Sequence, residues 1–326
     1  MSENMNTTKF TALGLSGSGK TCYVLGLYAQ MSIGVNQFNI TTENDIARNL
    51  EKSMDRLADK TKGKEDRFPV GTSLNDCTDY RFKLHYQNAP IMSVSWMDYG
   101  GGLLHDKGET SEGYEKLSKS IEESTALYIF IDGEKLCKQT FEEKKYEIGW
   151  HCSSKINPFI TQFANTHEVL PPIIFVITKM DLCRDSIKDE NEIMRVIGEC
   201  FSSVWGDKTE NVYITATTLG NNIADNNYHG KAEPNMHIPF FIGLYHEYSK
   251  IVQILKKSQE FLGLGKIWLS KKDNDLIAKI KNDNGNIKEL TDYESKLKAV
   301  SNELMRNSNK FTTIRNGQVI TAPDFN

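Results

Sequence analysis

The sequence predicts an α/β three-layer sandwich, built on a mostly parallel six-stranded sheet with one antiparallel edge strand and a small C-terminal α+β extension. Three observations predict it. Short apolar runs bounded by turn residues recur at 9–15, 80–86, 91–97, 126–131, 173–177 and 212–215. Helical stretches separate most of these runs, the alternation that a parallel sheet with crossover helices produces. The exception is the pair 80–86 and 91–97, joined only by Gln87-Asn88-Ala89-Pro90, a link short enough for a hairpin.

Taken in order, the first strand runs into Gly14-Leu15-Ser16-Gly17-Ser18-Gly19-Lys20-Thr21, which fits G-x-x-x-x-G-K-[ST] and precedes an apolar helix over 23–33. Strand, glycine-rich loop and helix in that order predict a P-loop NTPase fold. The loop backbone turns its N–H groups toward phosphates, the helix N-terminus adds a favourable dipole, Lys20 reaches the outer phosphates and Thr21 ligands Mg²⁺. Residues 37–68 read as an insertion carrying Ile46, Leu50, Met54 and Leu57 at helical spacing. The breaker-rich stretch Phe68-Pro69-Val70-Gly71-Thr72 follows.

Strand 91–97 leads into Asp98-Tyr99-Gly100-Gly101, a D-x-x-G in which Asp98 can hold the metal through water and the Gly101 N–H can sense a terminal phosphate. A second, charge-rich insertion spans 133–170; both insertions are expected to carry helices on the periphery. Strand 173–177 ends at Thr178-Lys179-Met180-Asp181, where one carboxylate can accept from both guanine N1–H and the exocyclic amine while the lysine stem lies over the ring. Strand 212–215 ends in Thr215-Ala216-Thr217, placed for a backbone N–H to meet the guanine O6. A helix over 239–255 closes a core domain at residues 8–258.

Residues 259–326 form the extension. Thr291-Asp292-Tyr293-Glu294 reads as a capping box opening a helix with Tyr293, Leu297, Val300 and Leu304 on one face. Ile314-Arg315 and Gln318-Val319 flank Asn316-Gly317, a strong hairpin signal because both turn positions need positive φ.

Composition narrows the class. The 326 residues carry 39 basic against 43 acidic side chains, a net charge of −4, so no global field favours nucleic acid or anionic lipid. Hydrophobic content of 39% supports a sizeable core, and the mean hydropathy of −0.48 fits a soluble protein. No run approaches the roughly 18 apolar residues of a membrane span, and the N-terminus has no basic-then-apolar run, so a cytoplasmic place is expected. Six cysteines (Cys22, Cys77, Cys137, Cys152, Cys183, Cys200) lack C-x-x-C spacing and read as reduced thiols.

The ordered motifs resemble the Ras-like (TRAFAC class) branch of P-loop GTPases over roughly residues 9–255, with TKMD standing for [NT]-K-x-D and TAT for the looser S-A-K. The resemblance implies GTP/GDP and Mg²⁺ as ligands. Gly14, Ser16, Gly17, Ser18, Gly19, Lys20, Thr21 and Cys22 would hold the phosphates, and Lys179, Asp181, Ala216 and Thr217 the base. Thr21, Asp98 and a mobile switch threonine, Thr72, would ligand the metal, with Thr78 the competitor for that switch position. Lys20, Thr72 and Gly101 would act in hydrolysis, and Arg67 is the one nearby analogue of the arginine that Gα proteins carry in cis.

Departures matter as much. Gly102 stands where Ras and Gα proteins have a water-orienting glutamine, so slow hydrolysis is expected. Ser16 replaces the glycine usual in Ras and would crowd an arginine finger from a partner. His105 reads as a plain loop histidine, and His229, His237 and His246 have no zinc spacing. The triple glycine after Asp98, the helix-bearing insertion and the long insertion after Ile131-Asp132 are similar to predicted bacterial double-GTPase and conflict-system GTPase families, which implies a regulatory protein partner or activator acting through the switch loops. Three functions compete: a slow GTPase switch, a non-hydrolysing GTP-binding interaction module, and a P-loop kinase, the last leaving TKMD without a role.

Overall fold

The computed structural model describes residues 7–69, 77–104, 112–167, 169–183, 190–205, 211–219, 235–262, 295, 312–315 and 318–320. Its strands are β1 (Thr7–Leu13), β2 (Phe38–Thr42), β3 (Cys77–Tyr86), β4 (Ala89–Tyr99), β5 (Ala126–Asp132), β6 (Ile173–Thr178), β7 (Asn211–Ala216), β8 (Thr312–Arg315) and β9 (Gln318–Ile320). Its helices are α1 (Lys20–Ile33), α2 (Asn44–Ala58), α3 (Lys64–Arg67), α4 (Glu112–Glu123), α5 (Phe141–Ile148), α6 (Ser154–Thr166), α7 (Met180–Cys183), α8 (Glu190–Cys200) and α9 (His237–Leu262).

The strands make one sheet in the order β2-β3-β4-β1-β5-β6-β7-β8-β9. Its middle, β4-β1-β5-β6-β7, is parallel. Both faces of these strands are covered, which is why β5 and β6 are near-continuous apolar runs, buried along almost their whole length. Along β5 the side chains divide by parity. Ala126, Tyr128 and Phe130 enter a core closed by α1, α2 and α9, while Leu127, Ile129 and Ile131 enter a second core closed by α4, α6 and α8. The three-layer sandwich expected from the sequence is thus present.

All six expected strands are found. The hairpin is there too: Gln87 and Asn88 take φ of 48° and 66°, the paired positive values that suit a two-residue turn between twisted strands. The sheet is wider than the six-strand expectation. β2 pairs antiparallel outside β3, and the terminal hairpin β8–β9 adds to β7. The second insertion is not peripheral, since α6 buries Ile156, Phe159, Ile160 and Phe163 in the sheet-covering layer. The expected tail helix and the Asn316-Gly317 turn lie outside the described residues, apart from Ser295. No described helix is long and apolar enough to cross a membrane.

The topology fixes where a ligand sits. The chain leaves β1 toward one side of the sheet, returns through β4, and then crosses to β5 on the other side. In open parallel sheets such a reversal opens a crevice at the carboxyl ends of the strands.

Candidate functional site

The loop between β1 and α1 occupies that crevice. Gly19, the N-cap of α1, has φ 88° and places no side chain over the helix's first N–H groups. A Cβ there would also press on the Thr178 side chain at 3.1 Å. Thr178, the last residue of β6, braces the loop by donating its hydroxyl to the Ser18 carbonyl at 2.8 Å. Uncapped N–H groups beside a glycine-rich loop have the chemistry to hold an anion.

Lys20 is buried, and its Nζ donates to the carbonyls of Gly14 (2.7 Å) and Leu15 (3.2 Å). Burial lowers the ammonium below its usual range, and the Asp98 charge partly offsets this. Asp98 itself is 2% exposed. Its Oδ2 accepts from the Thr21 hydroxyl at 2.8 Å, while Oδ1 is buried without a partner. Burial raises this carboxyl above the ordinary 3.8, and Lys20 and Thr21 pull the other way. The Ser18 hydroxyl is likewise buried and unpartnered. Cys22 lies in the same wall, its thiol pushed up to about 11 by burial.

Gly101 lies hard against this loop. A Cβ on it would stand 2.0 Å from the Ser16 nitrogen and 2.3 Å from the Leu15 carbonyl carbon. The D-x-x-G turn and the phosphate loop are therefore in backbone contact.

Across the cavity the base-recognition candidates gather. Lys179 has φ 51°, and its Nζ donates to Asp132 Oδ2 (2.8 Å) and Glu134 Oε2 (2.9 Å). Burial alone would lower this ammonium, but the two carboxylate bonds outweigh it and hold it above its ordinary value. Asp181 Oδ1 accepts from the Thr218 hydroxyl at 3.3 Å. Of these, Glu134, Lys179, Asp181 and Thr218 share one cavity of about 480 Å³ with Ser16, Gly17, Gly19, Lys20, Thr21 and Gly101, a size suited to a small-molecule ligand.

Ala216 and Arg67, both expected at the site, do not line this cavity. Ala216 ends β7 with its carbonyl taken by Asn235 Nδ2 (2.8 Å), and Thr217 N donates to the Ile177 carbonyl (2.7 Å). The cavity wall is made by Thr217, Thr218 and Leu219, further along the chain than Ala216. Arg67 does not line the cavity. It is buried, its Nε donates to the Leu57 carbonyl at 2.8 Å, and its guanidinium lies over Phe68, which ties α3 to α2. The neighbours Lys64, Glu65, Phe68 and Pro69 line the cavity instead.

Thr72, His105 and His229 lie outside the described residues. Thr78 is inside β3, in register with Asp98, and is held as a strand residue. His246 shares a 2.5 Å hydrogen bond with the Tyr213 hydroxyl, and His237 is buried under Phe241. Among the described residues no three His, Cys, Asp or Glu cluster as a metal site, and Cys22, Cys77, Cys137, Cys152 and Cys200 are free thiols. Sequence reasoning missed Thr218 and Asn235. Thr218 directly follows the TAT run and was readable there. Asn235, which holds the Ala216 carbonyl and the Thr218 N–H (3.1 Å), had no local signal.

Comparison with known proteins adds a family. Residues 11–149 match the family described as Double-GTPase 1. No curated protein matches the chain. Among solved structures, the Arl6 BBS3 small GTPase from Trypanosoma brucei with a bound nucleotide analogue, GppNp, aligns at 12% identity over 73% of this chain and 96% of that one, with a TM-score of 0.38, too loose a likeness to carry an argument. The matched segment holds the phosphate loop, Asp98, Gly101 and Asp132, so over these residues the chain is similar to the Double-GTPase 1 family.

Proposed function

We propose that the chain binds guanine nucleotide, hydrolyses GTP slowly with Mg²⁺, and serves as a nucleotide-dependent switch for a protein partner. The observation that carries this reading is the Thr21–Asp98 pair beside Lys20. A buried carboxylate oxygen without a partner is costly in a fold that leaves it empty, and Asp98 Oδ1 is such an atom. Hydroxyl and carboxylate oxygens are the donors that a hard divalent cation takes. Thr21 and Asp98 would hold Mg²⁺, with Thr72 a further ligand from the switch. When bound, the ion supplies neutralisation of charge on the outer phosphate oxygens.

The chain's own residues supply the rest. Backbone N–H groups of the loop from Gly14 to Gly19 and the open first turn of α1 hold the phosphates, and Lys20 adds a buried positive charge where the terminal phosphoryl group leaves. Gly101, in contact with Ser16, reports the terminal phosphate to the turn beyond it. Asp181 accepts from the guanine N1–H and amine, with Thr218 fixing its Oδ1. Lys179 lends its stem as a shelf, and with the Thr217 and Thr218 N–H groups already taken by Ile177 and Asn235, the Leu219 backbone is the part of this loop that would meet the O6 edge. Gly102 offers no side chain to orient water, and Arg67 is committed to Leu57, so a partner that places water and a cation has a role to fill.

Gly102 also favours a second reading, a GTP-binding module without turnover. Single-turnover phosphate release from GTP and ATP with Mg²⁺, with Lys20→Ala and Asp181→Asn as controls, separates the two. Release from GTP that both substitutions abolish supports the enzyme. Tight Asp181-dependent binding without release supports the module, and equal binding of ATP overturns the guanine reading.

A further inference from the structure

The Lys179 ammonium is held by two carboxylates from one turn. Asp132 ends β5, and its Oδ1 accepts the Glu134 backbone N–H at 3.0 Å, so its rotamer is set by the chain itself. Its other oxygen takes Lys179 at 2.8 Å, and Glu134 takes the same ammonium at 2.9 Å. At the other end, Lys179 sits at φ 51°, a left-handed value that side chains rarely adopt, with its carbonyl accepting Leu182 N at 2.9 Å. Both ends of the side chain are fixed, and the stem between them lies along the cavity that Lys20 and Asp181 also line.

The charge balance says which part of Lys179 works. An ammonium already shared by two carboxylates is not available as a phosphate cation, which leaves the four-carbon stem. A lysine stem free in solvent samples many rotamers and loses them when a ring settles on it; a stem fixed beforehand does not. The Glu134 pair adds little to folding, because Glu134 is 54% exposed and exposed pairs contribute little to stability.

We propose that Asp132 and Glu134 are positioning residues that hold the Lys179 stem as a preformed shelf for the nucleotide base and thereby set how long the nucleotide stays bound. The inference rests on the guanine-binding reading above. It ties base recognition to the turn at Gly133–Leu136, the start of the second insertion.

The test is the dissociation rate of a fluorescent GDP analogue from the full chain, with thermal unfolding run alongside. Asp132→Asn keeps the cap on the Glu134 N–H, and Glu134→Gln changes an exposed side chain, so both variants fold. Each is expected to speed dissociation by about three- to tenfold. In a Lys179→Ala background, adding Glu134→Gln is expected to change the rate by less than about twofold, because the shelf is already gone. Rates within twofold of wild type for both variants, while Asp181→Asn still speeds release, overturn the bracket and leave the guanine reading standing. Equal effects of Glu134→Gln with and without Lys179 also overturn it. If Asp181→Asn leaves binding unchanged, the guanine reading falls and the bracket with it.

Discussion

A methyl group on Gly101 would lie 2.0 Å from the Ser16 nitrogen and 2.3 Å from the Leu15 carbonyl carbon, both backbone atoms of a loop already braced by Thr178. Gly101→Ala is therefore expected to destabilise the nucleotide-free protein by about 1–3 kcal/mol, the range for overpacking, and to weaken GTP binding more than GDP binding. Chemical unfolding and nucleotide titration check both. Asp98 gives the opposite sign. Its folded carboxyl titrates above 3.8, so ionisation penalises the folded state; the stability it offers is present below the unfolded value and lost as pH rises through the folded one. At pH 7.5 without nucleotide, Asp98→Asn is expected to unfold at a higher temperature than wild type, while Mg²⁺-dependent nucleotide binding is lost. A lower unfolding temperature would count against burial as the dominant cause.

His237 carries a third prediction at this scale. Burial depresses it from 6.5 to about 4, so the unfolded chain binds the proton more readily than the folded one. Stability is then complete above about pH 6.5 and falls as pH drops toward 4, by about 2 kcal/mol between 6.5 and 5. His237→Phe, which keeps a ring against Phe241, should flatten that part of the profile in urea unfolding at the two pH values.

At the scale of elements, α5 shows how a cap can hide in a charge-rich sequence. Thr140 accepts from the Glu143 N–H at 3.2 Å, and Glu143 reaches back to the Thr140 N–H at 3.1 Å, a full capping box. Thr140→Ala is expected to cost about 1 kcal/mol, measured by denaturant midpoint, with no change in nucleotide affinity. A capping box is also expected at Thr291, outside the described residues, whereas this one lies inside the charge-rich stretch 133–170. The parallel strands were legible for the converse reason: β5 and β6 are buried on both faces and leave unbroken apolar runs. β2 was not, since Phe38 and Ile40 are its two buried positions in five residues and its pairing with β3 depends on a partner some 40 residues away. The strand ends that carry the phosphate loop, Asp98 and Asp181 were readable because each motif has a fixed spacing within one turn. The hydrogen bond of Arg67 had no signal in the sequence, because its partner, the Leu57 carbonyl, is a backbone atom that any sequence would offer.

For the whole molecule, two long-range arrangements decide behaviour. The site joins β1, β4, β5, β6 and β7, so nucleotide binding should stabilise the entire sheet. At a hundred times the dissociation constant the gain is about 2.7 kcal/mol, seen as a thermal shift with GTP and Mg²⁺ that EDTA reduces and Lys20→Ala removes. The second arrangement is the far edge. Asn-Gly announced a hairpin, but no local pattern says which sheet receives it. The structure sets β8 against β7, with Ile214 opposite Thr312 and Val212 opposite Ile314. β7 is buried along nearly its whole length, and without β8 its outer N–H and C=O groups become an open edge in an apolar strand. Removing residues 311–326 is therefore expected to leave secondary structure largely intact but to cause self-association that rises with concentration, detected by light scattering. Restoring charge on the exposed edge, by Val212→Lys in the truncated chain, would not repair it, because Val212 is 2% exposed and points into the second core. Repair by a separately added peptide spanning 311–326 would, since it replaces the backbone partners and not the side chains. A truncated chain that stays monomeric at high concentration would mean that β7 has another cover, and that the hairpin is an ornament on the sheet instead of its edge.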